Sequence, residues 1–139
     1  MKKTSDMQNE LLSSPDLERF LSEKAEDFQD SFFTEYLSQL IEASGFSKSE
    51  LSRRSAMSEV YLYQILTNVR HPSRNRVLSV AIGLKASLDE VKKLLDLSGH
   101  APLYVKNRRD AILIYGISHN ESLQIINNNL FNAGEKTIC

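Results

Sequence analysis

Glu59, Val60, Tyr63, Gln64 and Thr67 recur at intervals of three, four and seven, so on a helix they form one outward stripe. These side-chain types are suited to reading base edges. A glutamine carboxamide pairs with adenine through two bonds, a valine touches a thymine methyl, and a carboxylate accepts from the cytosine amino group. A carboxylate in a first helical turn is also stabilised by the helix dipole with no ligand near, and Tyr63 and Gln64 would fit an ordinary solvated face. Arg70, Arg74 and Arg76 cluster just beyond this stripe, around the start of the next helix, where free amides add to the attraction for an anion such as phosphate. Arg53 and Arg54 fit either an anion contact or a solvated face. Arg108 and Arg109 are expected to be structural, paired with acidic residues such as Asp110 or with the N-terminal segment.

Catalytic chemistry finds little material. His71, His100 and His119 fall in expected loops without the i, i+4 spacing of a zinc pair, and the single cysteine is Cys139. The five glycines mostly end helices and build no phosphate loop. No enzyme activity, metal or cofactor is expected.

The elements that position the stripe are read from caps and spacing. Ser47 followed by Glu50 forms a capping-box pattern that opens a short helix over Lys48 to about Ser55. Ala56, Met57 and Ser58 make a tight turn, and Ser58 caps a second helix to about Thr67. Asn68 stops it, since asparagine tolerates the left-handed conformation. Leu51 and Ser55 share one inward face, as do Leu62, Ile65, Leu66 and Val69, with Met57 plugging the junction. Two short helices joined by a three-residue turn make a helix-turn-helix.

On these residues the chain resembles the lambda-repressor-like helix-turn-helix family, also called the Cro or XRE family of transcriptional regulators. The carrying residues are Leu51-Ser52, Ala56-Met57-Ser58, Leu62, Ile65 and the run Arg70-His71-Pro72-Ser73 leading into a helix from Arg74 to Leu84. Asn68 and Ala56 stand where the family more often has glycine. Alanine costs about 1 kcal/mol where the backbone needs a positive φ. The resemblance spans roughly residues 33 to 95. It implies double-stranded DNA as partner, with Lys48, Glu59, Val60, Tyr63 and Gln64 reading bases. Arg53, Arg54, Ser58, Thr67, Arg70, Arg74 and Arg76 would then contact phosphates. It also implies a homodimer, and the segments outside the family core, residues 15 to 28 and 103 to 133, are the expected dimer surfaces.

Charge supports that placement. Residues 47 to 76 hold six basic side chains (Lys48, Arg53, Arg54, Arg70, Arg74, Arg76) against two acidic (Glu50, Glu59), a balance of +4 within a chain of net charge −1. Residues 1 to 46 hold four basic and ten acidic side chains, a balance of −6 that counts against a nucleic-acid contact there. The longest apolar run, Ala111 to Tyr115, is far short of the ~20 residues a membrane-spanning helix needs. With no secretory leader at Met1-Lys2-Lys3 and no cysteine pair, a cytoplasmic location is expected.

Three divisions follow. Residues 1–30 are a polar arm plus an acidic amphipathic helix with Leu17, Phe20, Leu21, Ala25 and Phe28 on one face. Residues 31–98 are the five-helix lambda-repressor-like domain, whose first helix is capped by Asp30 and Ser31 and stopped by Gly45. Residues 99–139 are a C-terminal helical pair, in which the apolar run Ala111 to Tyr115 is read as helix because a lone strand would have no partner. The expected class is all-α. The competing functional reading is a protein-interaction module, an antitoxin or adaptor, that keeps the helix-turn-helix and holds a protein partner through Val60 and Tyr63.

Overall fold

The computed structural model of the chain describes residues 4–23 and 29–138, and among these every regular element is an α-helix. They are α1 (Thr4–Ser13), α2 (Leu17–Glu23), α3 (Gln29–Ser44), α4 (Lys48–Arg54), α5 (Glu59–Leu66), α6 (Arg74–Gly83), α7 (Leu88–Leu97), α8 (Arg108–Ser118) and α9 (Leu123–Asn132). The expected face residues Ala25 and Phe28, the capping side chains of Asp30 and Ser31, and Cys139 lie outside the described residues.

The helices begin where short polar side chains can take an orphan amide. Ser47, Ser58, Ser73, Ser87, Asn107 and Ser122 each accept from the amide three residues on. The reciprocal box, with both bonds made, forms at Ser87 and Glu90. Helix ends turn through left-handed residues, Gly45, Gly99 and Gly134, and also Asn68 (φ 61°), Lys85 (φ 57°) and Asn120 (φ 53°). Residues 4–13, expected to be part of a polar arm, are helical. Met7, Gln8, Glu10, Leu11 and Leu12 are strong helix formers, and α1 buries no residue.

The core is organised around α6, which is buried on every side from Val77 through Gly83 and packs on α4, α7 and α9. Phe33 and Leu37 from α3, Leu51 from α4, Leu62 and Ile65 from α5, and Val91, Leu94 and Leu95 from α7 join it. Leu113, Ile117, Leu123, Ile126, Leu130 and Ile138 belong to the same cluster, so residues 99–138 share one core with the helices before them. At the α4–α6 crossing the backbones come close enough that a Cβ on Gly83 would stand 2.3 Å from Ser55 Oγ. Where α3 meets α7, burial and the Glu90 carboxylate push the Tyr36 phenol above its ordinary 10.0, and Lys93 Nζ lies 4.3 Å from the ring centroid. Among the described residues, the segment before the core contributes one buried side chain, Phe20, while Leu11, Leu12, Leu17 and Leu21 are exposed.

Candidate functional site

The pair α4 and α5 is joined by Ser55, Ala56, Met57 and Ser58. Ala56 adopts φ 52°, the left-handed value that makes glycine the easier residue there. The connection is stapled in both directions, because the Met57 amide donates to the Ser52 carbonyl at 3.1 Å and the Ser52 hydroxyl donates to the Met57 carbonyl. Met57 is buried in the junction. Packing of Leu51, Leu62 and Ile65 then turns the opposite side of α5 to solvent.

That outward side carries the expected stripe. Val60 is 68% exposed and Tyr63 57%, with Glu59 and Thr67 also exposed and Gln64 half-buried. Lys48, at the start of α4, reaches over Tyr63 with its Nζ 5.8 Å from the ring centroid, so the first residue of one helix borders the stripe of the other. Gln64 Oε1 accepts from Arg70 Nε at 3.1 Å, which orients the carboxamide and leaves its nitrogen uncommitted. Two of the expected phosphate ligands spend hydroxyl capacity locally. Ser58 Oγ accepts from the Tyr61 amide at 3.0 Å but keeps its own proton to donate, whereas the Thr67 hydroxyl donates to the Tyr63 carbonyl at 2.8 Å.

The arginines divide sharply. Arg53 and Arg70 are exposed and Arg76 is half-buried, and none of the three has a carboxylate partner among the described residues. Arg74 and Arg54, expected at phosphates, are turned inward instead. Arg74 pairs with the buried Asp110 through two bonds of 3.2 and 3.1 Å, and donates to the carbonyls of Ala101 and Pro102. Arg54 Nε donates to the Gly83 carbonyl at 2.6 Å and its guanidinium lies 4.2 Å from the Phe46 ring centroid. Both are drawn in because a neighbouring element offers acceptors there, Asp110 with the carbonyls of Ala101 and Pro102 for Arg74 and the Gly83 carbonyl for Arg54. Val69, expected on the inward face of α5, is 71% exposed, since the left-handed turn at Asn68 has already carried the chain off the helix.

One functional candidate escaped the sequence reading. Tyr61, half-buried in the first turn of α5, has the guanidiniums of Arg70 and Arg76 at 5.1 and 5.0 Å from its ring centroid. Separations of nine and fifteen residues have no helical periodicity, so only the path of the α5–α6 connection brings them together. Arg109 is structural as expected but finds other partners, Asn75 Oδ1 and the carbonyls of Lys136 and Thr137, while Arg108 faces Glu135 at 4.0 Å.

The histidines are less scattered than their spacing suggests. His71 and His100 lie with ring centroids 5.7 Å apart, and His100 Nε2 donates to the Pro72 carbonyl at 2.9 Å. His119 stacks on Tyr115. No cluster of three or more histidine, cysteine or acidic side chains suited to a metal occurs among the described residues. An open groove of about 420 Å³ runs beside α7, lined by Asp89, Lys92, Lys93, Asp96, His100 and Pro102, with both signs of charge on its rim. Among the described residues no helix is long and apolar enough to cross a membrane. Compared with family models, curated proteins and solved structures, the chain finds a match among none of them.

Proposed function

We propose that the chain is a sequence-specific double-stranded DNA-binding transcriptional regulator of the lambda-repressor-like kind, with α5 entering the major groove. The observation that carries the reading is the outward face of α5. Val60 and Tyr63 are exposed there with Gln64 half-buried beside them, Lys48, Arg70 and Arg76 border α5, and neither these three nor the exposed Arg53 has a carboxylate partner among the described residues. Bound DNA would have its bases met by Lys48, Glu59, Val60, Tyr63 and Gln64. Its backbone would be met by Arg53, Ser58, Arg70 and Arg76. Control follows from occupancy, since protein seated in the groove blocks or recruits polymerase.

A second copy of the chain would double the contacts and set two half-sites about 34 Å apart, one helical turn of DNA. Tyr104, Val105, Tyr115, Ile125 and Phe131, all exposed in the C-terminal segment, are the apolar residues that such a contact would cover.

A specific observation also favours a protein partner. Val60, Tyr63 and Val69 are each more than half exposed near one another in sequence, an apolar group that a protein interface could use. Salt separates the two. With three arginines per subunit on phosphates, DNA affinity falls with a log-log slope of about −3 per subunit, whereas an apolar protein contact changes little. Fluorescence anisotropy on pooled genomic duplexes between 50 and 300 mM salt, on the order of the range where counterion release dominates, makes the measurement. Absence of any shift at the lowest salt rejects the DNA reading.

A further inference from the structure

Arg70 and Arg76 come from different elements, the α5–α6 connection and the first turn of α6, yet both set their guanidiniums about 5 Å from one aromatic ring. Their distances to the ring centre put the two guanidinium carbons no more than about 10 Å apart, so the like charges repel, and no carboxylate among the described residues offsets them. The Tyr61 ring offsets part of that cost through its negative face. Gln64 Oε1 adds a bond to Arg70 Nε that restricts its orientation further. The remaining guanidinium donors have no acceptor among the described residues, which leaves them open to a phosphate oxygen.

From this we propose that Tyr61 is a positioning residue: its ring holds Arg70 and Arg76 as a preformed clamp for nucleic-acid backbone phosphate at the edge of the α5 face. Tyr61 need not touch DNA. It shortens the search of two long side chains, each of which otherwise loses rotamer freedom on binding. The inference rests on the DNA reading above and adds to it the residue that organises the backbone contact.

The test is a set of substitutions read by anisotropy on a duplex that the wild-type chain binds, with the salt slope measured for each. Arg70→Gln with Arg76→Gln removes two phosphate contacts, so the slope becomes shallower by about 2. Tyr61→Leu keeps the apolar volume and loses the ring face. It is expected to weaken binding about 5- to 30-fold with a slope shallower by about 1, while Tyr61→Phe stays within about 2-fold of wild type because the ring face is retained. In the background of both glutamines, Tyr61→Leu is expected to change affinity no further, the non-additivity of residues acting as a unit. A general structural role for Tyr61 would persist in that background. The clamp is overturned if Tyr61→Leu leaves the slope at its wild-type value, if its affinity loss survives in the glutamine background, or if Tyr61→Phe is as weak as Tyr61→Leu. Should Tyr61→Leu fail to fold, as circular dichroism would show, the Phe variant and the two glutamines decide alone: a slope unmoved by the glutamines removes the clamp. A wild-type chain that binds no duplex removes the DNA reading itself, an outcome distinct from all of these.

Discussion

Arg74 and Asp110 stand 36 residues apart in the chain and meet in a two-bonded ion pair, Nη1 to Oδ1 at 3.2 Å and Nη2 to Oδ2 at 3.1 Å. Around it the same two side chains collect the segment between α7 and α8. Arg74 donates to the carbonyls of Ala101 and Pro102, and Asp110 Oδ2 accepts from the Tyr104 amide. His100 adds a bond to the Pro72 carbonyl. The C-terminal helices are thus fastened to the start of α6.

Breaking this pair is expected to destabilise the fold. Asp110→Ala leaves a largely buried guanidinium uncompensated and frees the Tyr104 amide, a loss of about 3 kcal/mol that urea denaturation would register as a lower midpoint. Arg74→Ala should cost about 2 kcal/mol, discounted because a quarter of its side chain is exposed. Its DNA salt slope should match wild type, unlike that of Arg76→Ala, which becomes shallower by about 1. A shallower slope in Arg74→Ala would mean that this arginine leaves Asp110 for phosphate.

Ala56 holds φ 52° between α4 and α5. Ala56→Gly removes about 1 kcal/mol of left-handed strain and gives back part of it as unfolded-chain entropy. A net gain of ~0.5 kcal/mol is expected in thermal unfolding, against a loss if the turn tolerated alanine freely.

Gly83 lies where α6 crosses α4, and a Cβ there would stand 2.3 Å from Ser55 Oγ, 3.1 Å from the Ser55 amide nitrogen and 3.2 Å from the Arg54 carbonyl carbon. Backbone atoms cannot give way as a flexible side chain can. Gly83→Ala is expected to cost about 2 to 3 kcal/mol in chemical denaturation despite the better helix propensity of alanine. Ser55 Oγ is buried there without a hydrogen-bond partner among the described residues, so Ser55→Gly in the same chain should recover part of the loss.

Gln64 is the residue of the α5 face with both a donor and an acceptor for one base. Gln64→Ala should relax the preference at a single base pair by about 1 to 3 kcal/mol in a binding selection, with the other positions unchanged. Because it also releases Arg70 from its bond, a modest uniform weakening should accompany it.

Tyr36 has a phenol whose pKa is raised, first by burial and then by Glu90. The folded chain therefore holds this proton more tightly than the unfolded chain does. Its contribution to stability is complete below about pH 10 and is lost as pH rises through the higher folded value. Urea midpoints of Tyr36→Phe should accordingly fall less steeply above pH 10 than those of wild type.

Much of the helical order could be read from the chain because its causes are local. A serine three residues before the amide that it accepts, as at Ser58 and Ser87, is a bond within one turn. The same holds for Asn68 ending α5 in the left-handed region, and for the four-residue spacing of Leu62, Ile65 and their neighbours. These interactions span three or four residues, so residue type and spacing suffice to place them. What the sequence cannot settle is which of two similar side chains a distant element captures. Arg74 and Arg76 are two residues apart and chemically alike, yet one is taken by Asp110 and the other lies over Tyr61. That choice depends on where α8 docks, against α7 and α9, and the shared core of Leu113, Ile117, Ile126 and Leu130 brings Asp110 to Arg74, where the ion pair then fastens it. The sequence by itself determined an all-helical chain with a cationic stretch between residues 47 and 76. Only the tertiary structure decided which of those cations remain at the surface, because burial and long-range pairing are properties of the packed chain and not of any short segment.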